Sequence, residues 1–221
     1  MSEATPEALN EINRLMAANC KIAGRNRDTV QLIAVSKTRT ADQILPLLNA
    51  GHRVFGENRV QEAEAKWPAL KAEFPDVELH LIGQLQSNKA DEAVAAFDCI
   101  HSLDRLSLVK ALGKAMRDAS KPVPCFLQVN IGAEEQKGGC TIAKIPALLA
   151  AANGEAIPIT GLMCLPPAGI EPAPFFALLA ELAARNGLDQ LSMGMSDDFG
   201  TAIMLGATHI RVGTALFGQR T

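Results

Sequence analysis

Leu32-Ile33-Ala34-Val35-Ser36-Lys37 is a short apolar run that ends in a lone amine. Short, rich in aliphatic residues and followed by a polar turn, it reads as a strand buried on both faces, the kind a parallel sheet uses. The same reading recurs over Arg53 to Gly56, Leu79 to Gly83, Cys99 to Ser102, Cys125 to Asn130, Ile159 to Cys164, Leu191 to Met193 and His209 to Val212. Helical composition fills stretches between them: Ala41 to Ala50, Glu57 to Phe74, Leu106 to Ala119, Ile142 to Asn153, Pro172 to Asn186 and Asp198 to Leu205. Eight strands alternating with helices predict a single α/β domain, a (β/α)8 TIM-like barrel, with functional groups at the C-terminal strand ends. A doubly wound open sheet is the alternative. It is disfavoured because no G-x-G-x-x-G follows the first strand and the strongest phosphate-type signals come after strands seven and eight.

Working outward, Met1 to about Gly24 reads as an added amphipathic helix carrying Leu9, Ile12, Leu15, Met16 and Ile22 at helical spacing. No repeat or long linker interrupts residues 1–221, so one domain is expected; the chain stops eight residues past Gly213, which leaves no room for a second. With 48% hydrophobic residues there is material for a sizeable core. A net charge of -3 without basic blocks gives no footprint for nucleic acid or an anionic membrane. The acidic N-terminus is unlike a secretory signal and no apolar stretch reaches a membrane span, so a cytoplasmic protein is expected. Cys20, Cys99, Cys125, Cys140 and Cys164 lack C-x-x-C spacing and read as core residues. His52, His80, His101 and His209 show no metal-ligand spacing, so no metal is expected.

Lys37 stands where a strand leaves the core. A lysine there is commonly a solvated end-of-strand charge, but burial at a barrel mouth favours the neutral amine, which attacks aldehydes. Late in the chain, Leu191-Ser192-Met193-Gly194-Met195-Ser196 and Ile210-Arg211-Val212-Gly213-Thr214 combine glycine, hydroxyls and a fixed cation, the chemistry of a phosphate site. Amine and phosphate cradle together point to pyridoxal phosphate. Asp197 and Asp198 beside that cradle are expected to cap the helix that follows, turned away from a ligand. Phe55-Gly56-Glu57-Asn58 puts polar groups at the mouth, or else caps a helix. The amides of Gly83-Gln84-Leu85-Gln86-Ser87-Asn88 and the charged loop Asn130 to Gly139 have bland readings as a polar loop and a mobile loop.

Six segments in order, Ala34-Val35-Ser36-Lys37-Thr38, Phe55-Gly56-Glu57-Asn58, Ile82 to Lys89, His101-Ser102-Leu103-Asp104, Gly161-Leu162-Met163 and Leu191 to Ser196, resemble the pyridoxal phosphate homeostasis family. The likeness runs from about Leu32 to Arg220. It implies a fold-type III barrel like the N-terminal domain of alanine racemase, with pyridoxal phosphate held as a Schiff base on Lys37. It also implies a site completed by Asn58, Ser196, Arg211, Gly213 and Thr214. Arg211 is expected at the phosphate, with the ring nitrogen as its rival partner. The chain departs from the pattern at Arg59, where the family often has an aromatic residue, and at Leu79, where it often has tryptophan or tyrosine. The resemblance implies vitamin B6 homeostasis and cofactor supply without established turnover; a monomer is expected, with pyridoxal phosphate-dependent apo-enzymes as further partners. An amino-acid racemase or decarboxylase and a cofactor-sensing regulatory protein are the alternatives. Racemases of this fold use a lysine and a tyrosine on opposite faces of the cofactor, and this chain has no tyrosine.

Overall fold

In the computed structural model, which describes residues 5–218, eight parallel strands follow one another round a closed barrel. They are β1 Gln31–Val35, β2 Val54–Glu57, β3 Glu78–Leu81, β4 Cys99–Leu103, β5 Cys125–Val129, β6 Ile159–Cys164, β7 Gln190–Ser192 and β8 His209–Val212. Closure pairs the first strand with the last, with Ile33 opposite Arg211 and Ala34 opposite Val212. The helices α2 Ala41–Asn49, α3 Val60–Glu73, α4 Ala90–Ala96, α5 Leu106–Asp118, α6 Ile145–Gly154, α7 Ala173–Arg185, α8 Phe199–Met204 and α9 Thr214–Phe217 follow the strands in turn.

Alternation along each strand divides the residues between two cores. Leu32 and Ala34 of β1, Leu79 and Leu81 of β3 and Ile210 and Val212 of β8 face the helices in the main apolar layer. The barrel interior holds a separate small apolar cluster of Cys99, Phe126 and Met163, with Leu165 against it. Around that cluster the interior is polar: His80, His101, Gln128, Ser192 and Arg211 are all buried. On the outside, α5 packs Leu108, Val109, Leu112 and Met116 inward at helical spacing. Each fully buried aliphatic side chain of that kind contributes roughly 1.5 to 3 kcal/mol.

The helix α1 Pro6–Ile22 precedes the barrel, capped by the Thr5 hydroxyl accepting from the Ala8 N–H at 3.2 Å. It packs against α8 and α9, and the Arg25 guanidinium beyond it donates to the Ile203 carbonyl at 2.8 Å. The expected helix from Met1 to Gly24 is shorter at both ends, and Met1 to Ala4 lie outside the described residues, as does Arg220.

The strands fall where the apolar runs predict, β6 and β8 residue for residue. Most other boundaries shift by one or two residues, and two helix starts shift by three. Glu57 continues β2 instead of opening a helix, because its side chain is claimed by a buried ion pair, and α3 starts at Val60. The stretch from Ile142 begins as a 3-10 turn, and α6 starts at Ile145 with Pro146 in its first turn. The short helices α4 and α9 were not among the stretches read as helical, although a (β/α)8 barrel calls for a helix after each strand.

Candidate functional site

At the C-terminal ends of the strands lies a cavity of about 330 Å³. Lys37, Asn58, Ser196, Arg211, Gly213 and Thr214, the six residues singled out in the sequence, all line it, with Val35, Ile82, Leu165 and Met195 as apolar wall. They come from the ends of β1, β2, β7 and β8, so barrel closure brings positions 37 and 211 together.

Behind Lys37 is a buried clamp. The Glu57 carboxylate, fully buried, accepts from the Ser36 hydroxyl at 2.6 Å and the Trp67 indole at 3.0 Å. It also pairs with the Lys66 ammonium at 2.8 Å. That ammonium also donates to the carbonyls of Ser36 and Arg39, at 2.8 and 3.0 Å, so it holds both flanks of the turn that contains Lys37. Inside the turn Thr38 has φ 62°, a left-handed conformation, and its N–H donates to the Glu62 carboxylate. Burial pushes the Glu57 carboxyl above its ordinary range, although Lys66, Ser36 and Trp67 pull it back. The short contact to Lys66 and the raised carboxyl are compatible, because desolvation of a buried ion outweighs pairing. The helix-capping alternative for Glu57 and Asn58 is therefore not what the fold uses; α3 has Arg59 at its N-cap position, without a side-chain cap.

Arg211 forms the floor. It is buried, and its guanidinium donates to the Ser192 hydroxyl at 2.6 Å and the Cys164 carbonyl at 2.9 Å. Burial lowers its pKa, opposed by Cys164 and Asp198. Ser196, Gly213 and Thr214 belong to the segments beyond the strand ends. Ser196 Oγ accepts from the Ala215 N–H at 3.4 Å, linking the two segments. A Cβ on Gly213 would sit 3.3 Å from Val35 Cβ and 3.4 Å from the Val35 carbonyl, a tight cradle against the first strand. Gly194, at φ +93°, turns the seventh segment where a Cβ would meet that of Ala202 at 2.5 Å. The expected cap is not made: Asp198 stands at the N-cap position of α8 without a side-chain cap bond, and its carboxylate accepts instead from the Met195 N–H at 2.5 Å, bracing the loop, while Asp197 lines the cavity.

The other motifs support the rim. Gly83 allows the third strand end to lie against Asn58, whose carbonyl oxygen a Cβ there would meet at 2.3 Å. The Gln84 amide donates to Gln128. The loop from Asn130 to Gly139 is pinned rather than loose: Lys137 pairs with Glu134 at 2.6 Å and donates to the Pro166 carbonyl at 2.9 Å, and the Gly139 N–H donates to Asp104. All five cysteines are buried and unbridged, and burial pushes the Cys164 thiol up to about 12.

Sequence spacing gave no hint that His80 and His101 meet in the barrel. His80 Nδ1 and His101 Nε2 are 2.9 Å apart, and with Cys99 they place potential ligand atoms within 4.8 Å of one another. The two imidazoles use their facing nitrogens on that hydrogen bond. Two nitrogens on one tetrahedral ion stand farther apart than that, roughly 3.3 Å for the usual bond lengths.

Among the described residues, no helix is long and apolar enough to cross a membrane. Residues 14–221 match the family model described as alanine racemase, N-terminal domain. A pyridoxal phosphate homeostasis protein of Pseudomonas aeruginosa is 43% identical over 206 residues, covering 90% of this chain and 88% of that protein. Its namesake in Escherichia coli K12 is 36% identical over 222 residues, covering 96% and 95%. Among solved structures, PipY of Synechococcus elongatus with PLP bound superposes with a TM-score of 0.80 at 40% identity, over 92% of this chain and all of that one. Alanine racemase of Clostridium difficile, 12% identical with a TM-score of 0.69, shares the fold over 94% of this chain and 56% of its own length.

Proposed function

Since this chain belongs to the pyridoxal phosphate homeostasis proteins, within the alanine racemase N-terminal domain family, we propose that it binds pyridoxal phosphate on Lys37 and takes part in vitamin B6 homeostasis without catalytic turnover. The observation that carries the reading is the convergence of one amine, one buried guanidinium and a glycine and hydroxyl cradle on a single cavity. These residues fit the cofactor. Ser196 and Thr214 offer hydroxyls to a phosphate, and Gly213 leaves room for close backbone approach. Val35, Ile82 and Leu165 offer apolar surface to a ring. When bound, the cofactor would supply an electrophilic aldehyde, and the Lys37 amine would be the group that holds it. The clamp of Glu57 and Lys66 orients the turn so that Lys37 reaches into the cavity.

For Arg211 the geometry supports the rival role. Its guanidinium is held between β6 and β7 inside the barrel, whereas Ser196, Gly213 and Thr214 gather beyond the strand ends. We therefore read it as the partner of the ring nitrogen and the latter three as the phosphate cradle.

The finer expectations are a cytoplasmic monomer that supplies apo-enzymes. The racemase reading ranks below them, since the chain has no tyrosine to serve as a second base opposite Lys37. Borohydride reduction of the protein loaded with pyridoxal phosphate, followed by peptide mapping, is expected to place a pyridoxyl group on Lys37; a label chiefly on Lys89 or Lys137 overturns the assignment. Solvent deuterium entering the α-carbon of alanine at an enzyme-like rate, abolished by Lys37→Ala, would establish the racemase instead.

A further inference from the structure

Arg211 is the end of a chain of polar groups that crosses the barrel interior. From the cavity, its guanidinium donates to Ser192 Oγ at 2.6 Å; Ser192 Oγ is 2.8 Å from His101 Nδ1; His101 Nε2 is 2.9 Å from His80 Nδ1. His80 Nε2 faces the Glu78 carboxylate at 3.7 Å, an electrostatic contact at the opposite opening of the barrel. Ser192 and His101 are fully buried and His80 nearly so, while the Glu78 side chain is half exposed.

One assignment of the protons satisfies every contact in the row and runs in a single direction. A guanidinium has no acceptor, so Ser192 accepts from Arg211; in this assignment it gives its own hydrogen to His101 Nδ1. His101 is then protonated on Nε2 and donates to His80 Nδ1, which leaves the His80 proton on Nε2, toward Glu78. Five residues from β8, β7, β4 and β3 are thus polarised one way, from cation to carboxylate. The surroundings hold this state. Burial, reinforced by His80, His209 and Arg211, keeps His101 neutral, and the His80 contact lowers the Glu78 pKa, as an ionised terminal acceptor requires. Phe126 stacks on the His101 ring at 4.3 Å, and His209, bound through Nδ1 to Thr208 at 2.8 Å, packs beside both imidazoles.

We infer that Ser192, His101, His80 and Glu78 are positioning residues that fix the Arg211 guanidinium for the bound cofactor. The inference rests on the reading of the cavity as a pyridoxal phosphate site. None of the four lines that cavity, so each acts on the ligand only through Arg211. A directed chain of this kind strengthens each bond in it and gives the guanidinium one orientation.

The test is a set of double-mutant cycles on the full chain. Pyridoxal phosphate is titrated into Ser192→Ala, His101→Phe and Glu78→Gln, each made with Arg211 intact and with Arg211→Gln, following the visible absorption of the bound cofactor and the thermal midpoint. With Arg211 intact, Ser192→Ala and His101→Phe are expected to weaken binding about three- to tenfold, the worth of one hydrogen bond, and to move the absorption maximum. In the Arg211→Gln background they should add nothing, since coupled residues are non-additive. Equal losses in both backgrounds, or no loss with Arg211 intact, overturn the inference. If a core variant fails to fold, the comparison falls on Glu78→Gln, a half-exposed change of equal shape; there too, no response or a response independent of Arg211 overturns it. Absence of a reducible adduct on Lys37 in the unaltered protein would instead remove the cofactor reading itself.

Discussion

Glu57 and Lys66 make a buried ion pair at 2.8 Å directly behind the turn that carries Lys37, and the same ammonium holds the carbonyls of Ser36 and Arg39. Removing one partner of such a pair leaves the other charged and without its counter-ion in the core, a loss of about 3 to 5 kcal/mol. Lys66→Met is expected to lower the free energy of urea unfolding by that amount and to slow cofactor capture. Glu57→Gln, which keeps an acceptor for Ser36 and Trp67, should lose less. Equal stability of Lys66→Met and the unaltered protein would show that the pair is structurally idle.

Lys37→Ala removes the covalent link, and recognition should survive it, because Ser196, Gly213 and Thr214 are contributed by other strand ends. The variant is expected to retain reversible binding of pyridoxine phosphate, a non-aldehyde analogue that no other lysine can capture. Calorimetry reads this directly. A folded variant with no affinity would mean that the cradle lies elsewhere.

Arg211→Gln separates the two roles open to the guanidinium. A charge-assisted hydrogen bond is worth roughly 1.5 to 3 kcal/mol, so about one to two orders of magnitude in affinity should be lost. If Arg211 meets the ring, pyridoxal and pyridoxal phosphate lose alike in a variant of unchanged thermal stability. A loss confined to the phosphorylated ligand returns Arg211 to the phosphate.

Acid should unfold the protein through its interior histidines. Burial holds His101 well below the usual imidazole range and His209 at about 3, with nearby His80 and Arg211 adding to the effect. Both are neutral in the fold, whereas the unfolded chain takes up protons near pH 6.5, so stability is full above that pH and declines below it. Each such histidine contributes about 1.4 kcal/mol per pH unit to the decline, down to its own folded pKa. Urea unfolding between pH 7.5 and 4.5 measures the slope. His209→Phe should reduce it by about that contribution, and an unchanged slope would mean that His209 is protonated in the fold.

The barrel was legible because its strands are apolar runs bounded by polar turns, a pattern that survives in one dimension. That Lys37, Asn58, Ser196, Arg211, Gly213 and Thr214 would line one cavity was legible for a related reason: each stands at or just past such a run, and parallel closure sends all the run ends to one face. The helices α4 and α9, seven and four residues long, are too brief to show a helical period. Glu57 was misread because a charged residue at a strand end looks solvated until Lys66 and Trp67, nine and ten positions on, are seen to enclose it. The chain from Glu78 to Arg211 had no local signature at all. His101 and Ser192 are 91 positions apart and touch only because the barrel is closed.

Closure also sets when the cavity comes into being. The seam that joins Gln31–Val35 to His209–Val212 links the first strand to the last, and α1 rests on helices that follow the seventh and eighth strands. During synthesis the first strand and its lysine emerge long before their partners, and contacts of such long sequence separation form late. A nascent chain that stops short of β8 therefore has Lys37 and Ser196 but lacks Arg211, Gly213 and Thr214. The cavity is complete only when β8 docks, so the ribosome must release that strand before Lys37 has all its neighbours around it.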